Sequence, residues 1–201
     1  SFYEDNGNIY NTIINVSDPS NLYHKKHLVP FGEYLPFREI MSSIYNFIGI
    51  NIYELSKGKI SNVIKVNEFK AYSLICYESI FSKESLIKIS EADFILNVSN
   101  DGWFGDSLAP YQHLDALRMR ALENQRYAIR SAINGISAII SPYGNIINFI
   151  PYNKTGLINA SIVARNGYTP LSRYGYSTLY IFTFLIFIYA SIYFNIKAFK
   201  R

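Results

Sequence analysis

One cysteine in 201 residues excludes an internal disulfide and leaves the compartment open. Charged residues are scarce at 17%, below the ~25% typical of soluble domains. Lysines and arginines exceed acids by only four, with no long basic block, so nothing implies a nucleic-acid partner. The three histidines, His24, His27 and His113, lack the spacing of a metal motif, and His24 and His27 read as members of a polar loop. There is no G-x-S-x-G elbow, no H-E-x-x-H and no Walker loop. Ser99, Asp101 and His113 compose a Ser-His-Asp set by type, but nothing in their spacing fixes a triad. The opening Ser1–Gly7 segment is polar, shows no secretory pattern and does not begin with Met; the chain reads as part of a longer protein.

What is abundant is apolar: 49% of the chain, with aromatics at 16%. That content supports one sizeable core over about residues 1–170. The run from Tyr176 to Ile196 carries no charge, has tyrosines at both ends and is followed by Lys197, Lys200 and Arg201. About 20 such residues suffice to span a bilayer, and the basic tail at 197–201 then lies on the cytoplasmic side.

The lone cysteine falls in Ala71-Tyr-Ser-Leu-Ile-Cys-Tyr-Glu78. The apolar run before it has the length of a buried strand, and a polar, helix-compatible stretch begins near Ser79. Most lone cysteines are buried small hydrophobes. A cysteine at a strand end before a helix, by contrast, lies near N–H groups that favour a thiolate, which makes Cys76 a candidate nucleophile.

Residues 8–16 read as a strand ending in a Ser17-Asp-Pro-Ser turn, and Tyr23–Pro36 as a shaped loop holding Lys25, Lys26, His27 and Glu33. Residues 37–56 are apolar, poorly periodic and broken by Gly49. They read either as core or as a flap presenting Ile44, Tyr45, Phe47, Ile48, Ile50 and Ile52. Further on come a Lys57-Gly-Lys turn, a strand at 62–66, a helix at 82–92, a buried strand at 93–99 and a glycine-punctuated loop carrying Trp103. A helix runs from Pro110 to about Ser131, a hairpin turns about Pro142-Tyr-Gly144, and a last strand covers Gly156–Val163. Alternating strands and helices point to a layered α/β domain.

Acyl transfer through a thiol needs a nucleophile, a base and a cation for the oxyanion; Cys76 and a lysine of the Lys25 loop can supply two of these. The segments Tyr23-His-Lys-Lys-His-Leu-Val-Pro-Phe-Gly-Glu-Tyr-Leu-Pro36, Ile75-Cys-Tyr-Glu78, Asn97-Val-Ser-Asn-Asp-Gly-Trp-Phe-Gly105, Gln112-His and Arg118–Glu123, in that order, resemble the nitrilase-type domain of the apolipoprotein N-acyltransferases. Arg130–Gly135, Ser141–Gly144 and the terminal apolar run continue the likeness over essentially the whole chain.

The resemblance implies a nitrilase-like αββα sandwich, incomplete at its N-terminal side, facing the periplasm from the bacterial inner membrane. It implies transfer of an acyl chain from a phospholipid to a cysteine thioester, then to the amine of a lipoprotein's diacylglyceryl-cysteine, with no cofactor and no metal. By motif position Cys76 is the nucleophile, Lys25 rather than Lys26 the oxyanion cation, and Glu33 and Glu78 acidic supports. Tyr77 and Trp103 fall on the substrate side. The family's base glutamate and its other membrane helices belong upstream of residue 1. Two alternatives share the motifs: a membrane-anchored fragment inactive without that glutamate, and a nitrilase-type amidase.

Overall fold

A computed structural model of the chain describes residues 2–49, 54–59, 61–88 and 91–199, with the side chains of 84, 87, 88 and 194–199 left aside. Two sheets form the domain. Strands β1 (Phe2–Asp5), β2 (Asn8–Asn15) and β3 (Asp18–His24) make an antiparallel sheet in that order. Strands β4 (Val63–Val66), β5 (Phe69–Ile75), β6 (Phe94–Asn100), β7 (Ala128–Ile133), β8 (Ser137–Ile140) and β9 (Ile146–Ile150) make a six-stranded sheet, again in chain order. Its centre, β5–β6–β7, is parallel and its outer pairs are antiparallel.

Parallel neighbours require crossovers, and helices supply them. Helix α2 (Ser82–Lys88) follows β5, and α3 (Ala109–Asn124), with Pro110 in its first turn, joins β6 to β7. The alternation of β5 then sorts its side chains between two cores. Tyr72 and Leu74 face α3 with Leu114, Leu117 and Ala121, while Ala71 and Ile75 face the three-stranded sheet through Tyr23 and Ile13. Sheet on sheet, with helices over the six-stranded sheet, is a nitrilase-like α/β layering. Its central strands end together, with Ile75, Asn100 and Ile133 at their C-terminal edge, where ligands of open parallel sheets bind.

Several expected boundaries move. The first turn is Val16–Ser17 alone, because Asp18 already pairs with Asn15. The apolar stretch after Phe37 forms helix α1 (Arg38–Phe47), closed by Gly49 at φ 71°. The helix expected to run to Ser131 stops at Asn124: Gln125 takes a left-handed φ of 53°, and Ala128 fills the core from β7 instead of from a helix face. Residues 156–163 are irregular rather than a strand. Ile50 and Ile52 lie outside the described residues.

After a short helix α4 (Pro170–Tyr174), capped by Thr169, the chain enters helix α5 (Ser177–Phe199). Its described side chains from Leu179 to Phe187 are all exposed. Among the described residues no helix is long and apolar enough to cross a membrane.

Candidate active site

Cys76 is the first residue past β5 and opens a 3₁₀ turn, Cys76–Ile80. It holds φ 51°, a region that costs a non-glycine residue about 1–3 kcal/mol and persists only where surroundings impose it. Glu78 imposes it. One carboxylate oxygen accepts the Ile75 N–H at 2.8 Å, while the other accepts Lys26 N–H at 2.7 Å, His27 N–H at 3.1 Å and the Tyr23 hydroxyl at 2.7 Å. A single buried carboxylate thus ties the residue before the cysteine to the two residues after Lys25.

Lys25 is 1% exposed. Its ammonium donates to both oxygens of Glu33, at 2.9 and 2.7 Å. Glu33 also accepts the Val29 N–H and the Asn11 amide, so it is held by its own loop and by β2. The loop can fold this tightly because Gly58 lies against it. A Cβ there would sit 2.1 Å from the His24 carbonyl oxygen, and the Gly58 N–H donates to Lys25 O at 2.8 Å. Lys26 points elsewhere, donating to Asn62 at 2.7 Å.

The structure therefore brings Lys25, Glu33, Glu78 and Cys76 into one connected arrangement. Tyr77 meets the Phe81 ring edge-on, and Phe81 stacks on His27, which closes a second link between the cysteine turn and the lysine loop. Trp103 stands apart, 78% exposed on the 3₁₀ turn Gly102–Phe104. His24 is not a polar-loop residue: it ends β3, is buried, bonds Thr12 at 2.7 Å and stacks on Tyr10, and burial lowers its pKa.

Sequence reasoning did not place Asp101 and His113 next to the cysteine. Asp101, past the end of β6, is fully buried and accepts from Ser99 at 2.6 Å and from Arg130 at 2.6 Å, with His113 Nδ1 at 3.4 Å. Arg130 also bonds Asn97 on the neighbouring strand and the Ile136 carbonyl. Burial would raise the Asp101 pKa; the His113 and Ser99 contacts and the Arg130 charge outweigh it and hold the carboxyl below its usual range. Gly135 makes room, since a Cβ there would sit 2.1 Å from Asp101 Oδ2. One donor atom each from Cys76, Asp101 and His113 lie within 4.8 Å of one another. Ser99, Asp101 and His113, a set by residue type alone in the sequence, thus meet in space, and the neighbour of Asp101 and His113 is the Cys76 sulfur.

A strained cysteine at the C-terminal edge of a parallel sheet, tied through Glu78 to the loop whose buried Lys25 pairs with Glu33, agrees with what comparison with known proteins shows. The family model described as carbon-nitrogen hydrolase matches residues 1–167. The chain is 38% identical over 191 residues to an apolipoprotein N-acyltransferase of Wigglesworthia glossinidia brevipalpis, covering 90% of this chain and 38% of that protein. It is 37% identical over 170 residues to the one from Vibrio parahaemolyticus, covering 84% of this chain and 34% of that protein. The chain thus spans little more than a third of the length of these relatives. Among solved structures, XC1258 of Xanthomonas campestris, a CN-hydrolase superfamily protein with an arsenic adduct in its active site, aligns with a TM-score of 0.54 at 18% identity over 77% of this chain and 57% of that one. Nit3 of Saccharomyces cerevisiae, a nitrilase superfamily member, aligns with a TM-score of 0.53 at 21% identity over 74% and 52%. By family match and by fold, the chain belongs to the carbon–nitrogen hydrolase family.

Proposed function

We propose that this chain carries the acyl-accepting part of an apolipoprotein N-acyltransferase. The observation that carries this reading is the Glu78 clamp, which holds the Cys76 turn and the Lys25 loop as one unit. In the first half-reaction the Cys76 sulfur attacks the ester carbonyl of a phospholipid. The carbonyl oxygen becomes an oxyanion, a C–S bond forms, and collapse expels the lysophospholipid alkoxide, which takes up the thiol's proton by way of the base. In the second, the amine of a diacylglyceryl-cysteine attacks the thioester; an amide forms and the thiol is restored with the amine's proton.

Lys25 has the chemistry for the oxyanion. An ammonium has three hydrogens, and two of the three face Glu33, leaving the third for the substrate. Glu33 keeps the cation in place and Glu78 keeps the nucleophile in place, so both are supports rather than reacting groups. Tyr77 and the exposed Trp103 offer aromatic surface on the substrate side. The base is the glutamate that the family resemblance places upstream of residue 1.

In the same reading α5 lies in the inner membrane, the domain faces the periplasm and 197–201 is cytoplasmic. Support comes from the sequence, where the apolar run has the about 20 residues that a bilayer crossing takes. It comes also from the absence of charge between Gly175 and Ile196.

The test is mass spectrometry of a longer form that includes the upstream portion, incubated with phospholipid. An acyl adduct on the peptide containing Cys76, absent from Cys76→Ala, is expected. Undiminished transfer by Cys76→Ala refutes the reading.

A further inference from the structure

We propose that Cys76, Asp101 and His113 form a reversible binding site for a thiophilic divalent cation of the zinc class, and that the ion switches the cysteine off. The three residues come from three elements: the end of β5, the segment after β6, and helix α3. Their donor atoms, one sulfur, one oxygen and one nitrogen, lie within 4.8 Å of one another. Thiolate, imidazole and carboxylate together suit zinc and not magnesium or calcium, which take oxygen sets.

The separation of His113 Nδ1 from Asp101 Oδ1 is 3.4 Å. That is long for a charge-assisted hydrogen bond, which runs about 2.7–2.9 Å. It matches the edge of about 3.3 Å between two ligands that each sit ~2.05 Å from a tetrahedral zinc. Outer contacts of the kind that orient metal ligands are in place. Ser99 holds Asp101 Oδ1, Arg130 holds Oδ2, and the Phe104 ring meets His113 edge-on. Thiolate and carboxylate together balance a dication, so its arrival leaves only the Arg130 charge in excess.

Three protein ligands leave a fourth position for water, and half-buried Cys76 gives the ion its approach. On binding, the Cys76 proton passes to solvent and its sulfur lone pair becomes a metal–sulfur bond. The metal–sulfur bond draws electron density from the sulfur and fixes it in the coordination shell, which lowers its capacity to attack an acyl group. The ion therefore competes with acylation, a consequence that rests on the reading of Cys76 as nucleophile; the binding itself does not.

Cobalt(II) titration of the purified longer form that includes the upstream portion, in detergent, tests the site, because tetrahedral cobalt is coloured and thiolate ligation adds a near-ultraviolet charge-transfer band. Wild type is expected to bind one cobalt per chain with tetrahedral bands and the charge-transfer band, both reversed by zinc. Cys76→Ser should lose the charge-transfer band, and His113→Gln should weaken binding about 10-fold or more. Weak octahedral bands in wild type overturn the proposal outright, even if His113→Gln fails to fold. So does a circular-dichroism-normal His113→Gln variant that binds as tightly as wild type, since the thiol alone then holds the ion. The acyl-adduct assay with and without zinc separates the two readings. Loss of the adduct with zinc supports the switch, and an adduct undiminished at saturating zinc overturns it. Tight cobalt binding with no adduct under any condition leaves the metal site standing and removes the acyltransferase reading.

Discussion

Tyr23 donates its hydroxyl to Glu78 at 2.7 Å, joining the last turns of β3 to the residue two past the cysteine. Tyr23 is fully buried, and burial together with the Glu78 charge pushes its phenol far above the usual range. The hydroxyl also accepts the Asn62 amide at 3.1 Å, so it links β3 to the residue just before β4.

Removing that hydroxyl tests the clamp. In Tyr23→Phe, Glu78 loses one of four donors and the Asn62 amide loses an acceptor. Hydrogen bonds to charged groups contribute roughly 1.5–3 kcal/mol, and the expected loss of stability in denaturant titration is about 2 kcal/mol. Glu78→Gln should be worse, because an amide replaces two acceptor oxygens with one. Its expected signature is faster alkylation of Cys76 by a bulky reagent as the turn loosens. A Glu78→Gln variant with wild-type stability and alkylation would show that the turn holds itself.

The strand before Cys76 and the glycine loop after β6 are readable because each is a short apolar run bounded by polar punctuation. Their alternation with helical stretches points to a layered α/β domain, while the sheet-on-sheet arrangement is legible only through the resemblance. Other features were illegible for physical reasons. Arg130 sits in an Ala- and Arg-rich stretch whose helical propensity continues that of α3; the left-handed Gln125 ends the helix, and the parallel pairing of Ala128–Ile133 with β6 claims the rest. His113 and Asp101 meet only because α3 packs back over β6, a contact twelve residues apart that no motif encodes. Lys25 could be preferred to Lys26 only by resemblance. The structure supplies the physical difference: the two side chains leave the backbone toward Glu33 and Asn62 respectively.

That difference predicts unequal tolerance at the two positions. Lys25→Arg must fit a planar fork into a space sized for a compact ammonium with two hydrogens on Glu33. Loss of an oxyanion donor costs about 10²–10³ in rate, and Lys25→Arg and Lys25→Ala should both fall in that range in the longer form. Lys26→Ala should retain transfer within about tenfold, since the bond it gives up goes to Asn62 and not to the lysine–glutamate pair. Equal losses at the two positions would dissolve the assignment of Lys25.

Helix α1 presents Phe37, Ile40, Ile44, Phe47 and Ile48 to solvent and buries only Tyr45, whose hydroxyl donates to the Pro36 carbonyl. A helix anchored by one side chain opens at low cost. Hydrogen exchange over residues 38–49 is therefore expected to be faster than over β5 and β6, and to slow when phospholipid is added to the detergent. Protection equal to that of the central strands, with or without lipid, would show that this apolar face is not a mobile lipid-facing flap.

Glu123 links the domain to the start of α5. Arg120 donates to its Oε1 at 2.9 Å and the Tyr176 hydroxyl lies 3.4 Å from the same oxygen, while Tyr176 also bonds Ser82. Its Oε2 is buried with no hydrogen-bond partner among the described residues. Burial raises the Glu123 pKa, and the Arg120 charge only partly offsets it. The folded state thus holds this proton more tightly than the unfolded state does. The resulting stabilisation is full below the unfolded value of about 4.3 and is lost as pH rises through the raised folded value. Glu123→Gln cannot ionise, so its stability carries none of that pH dependence. Thermal melts from pH 4 to pH 8 should show the wild type losing stability relative to Glu123→Gln as pH rises through the raised Glu123 value. A gap that stays constant across that range would mean that Glu123 is as well solvated as an ordinary surface carboxylate.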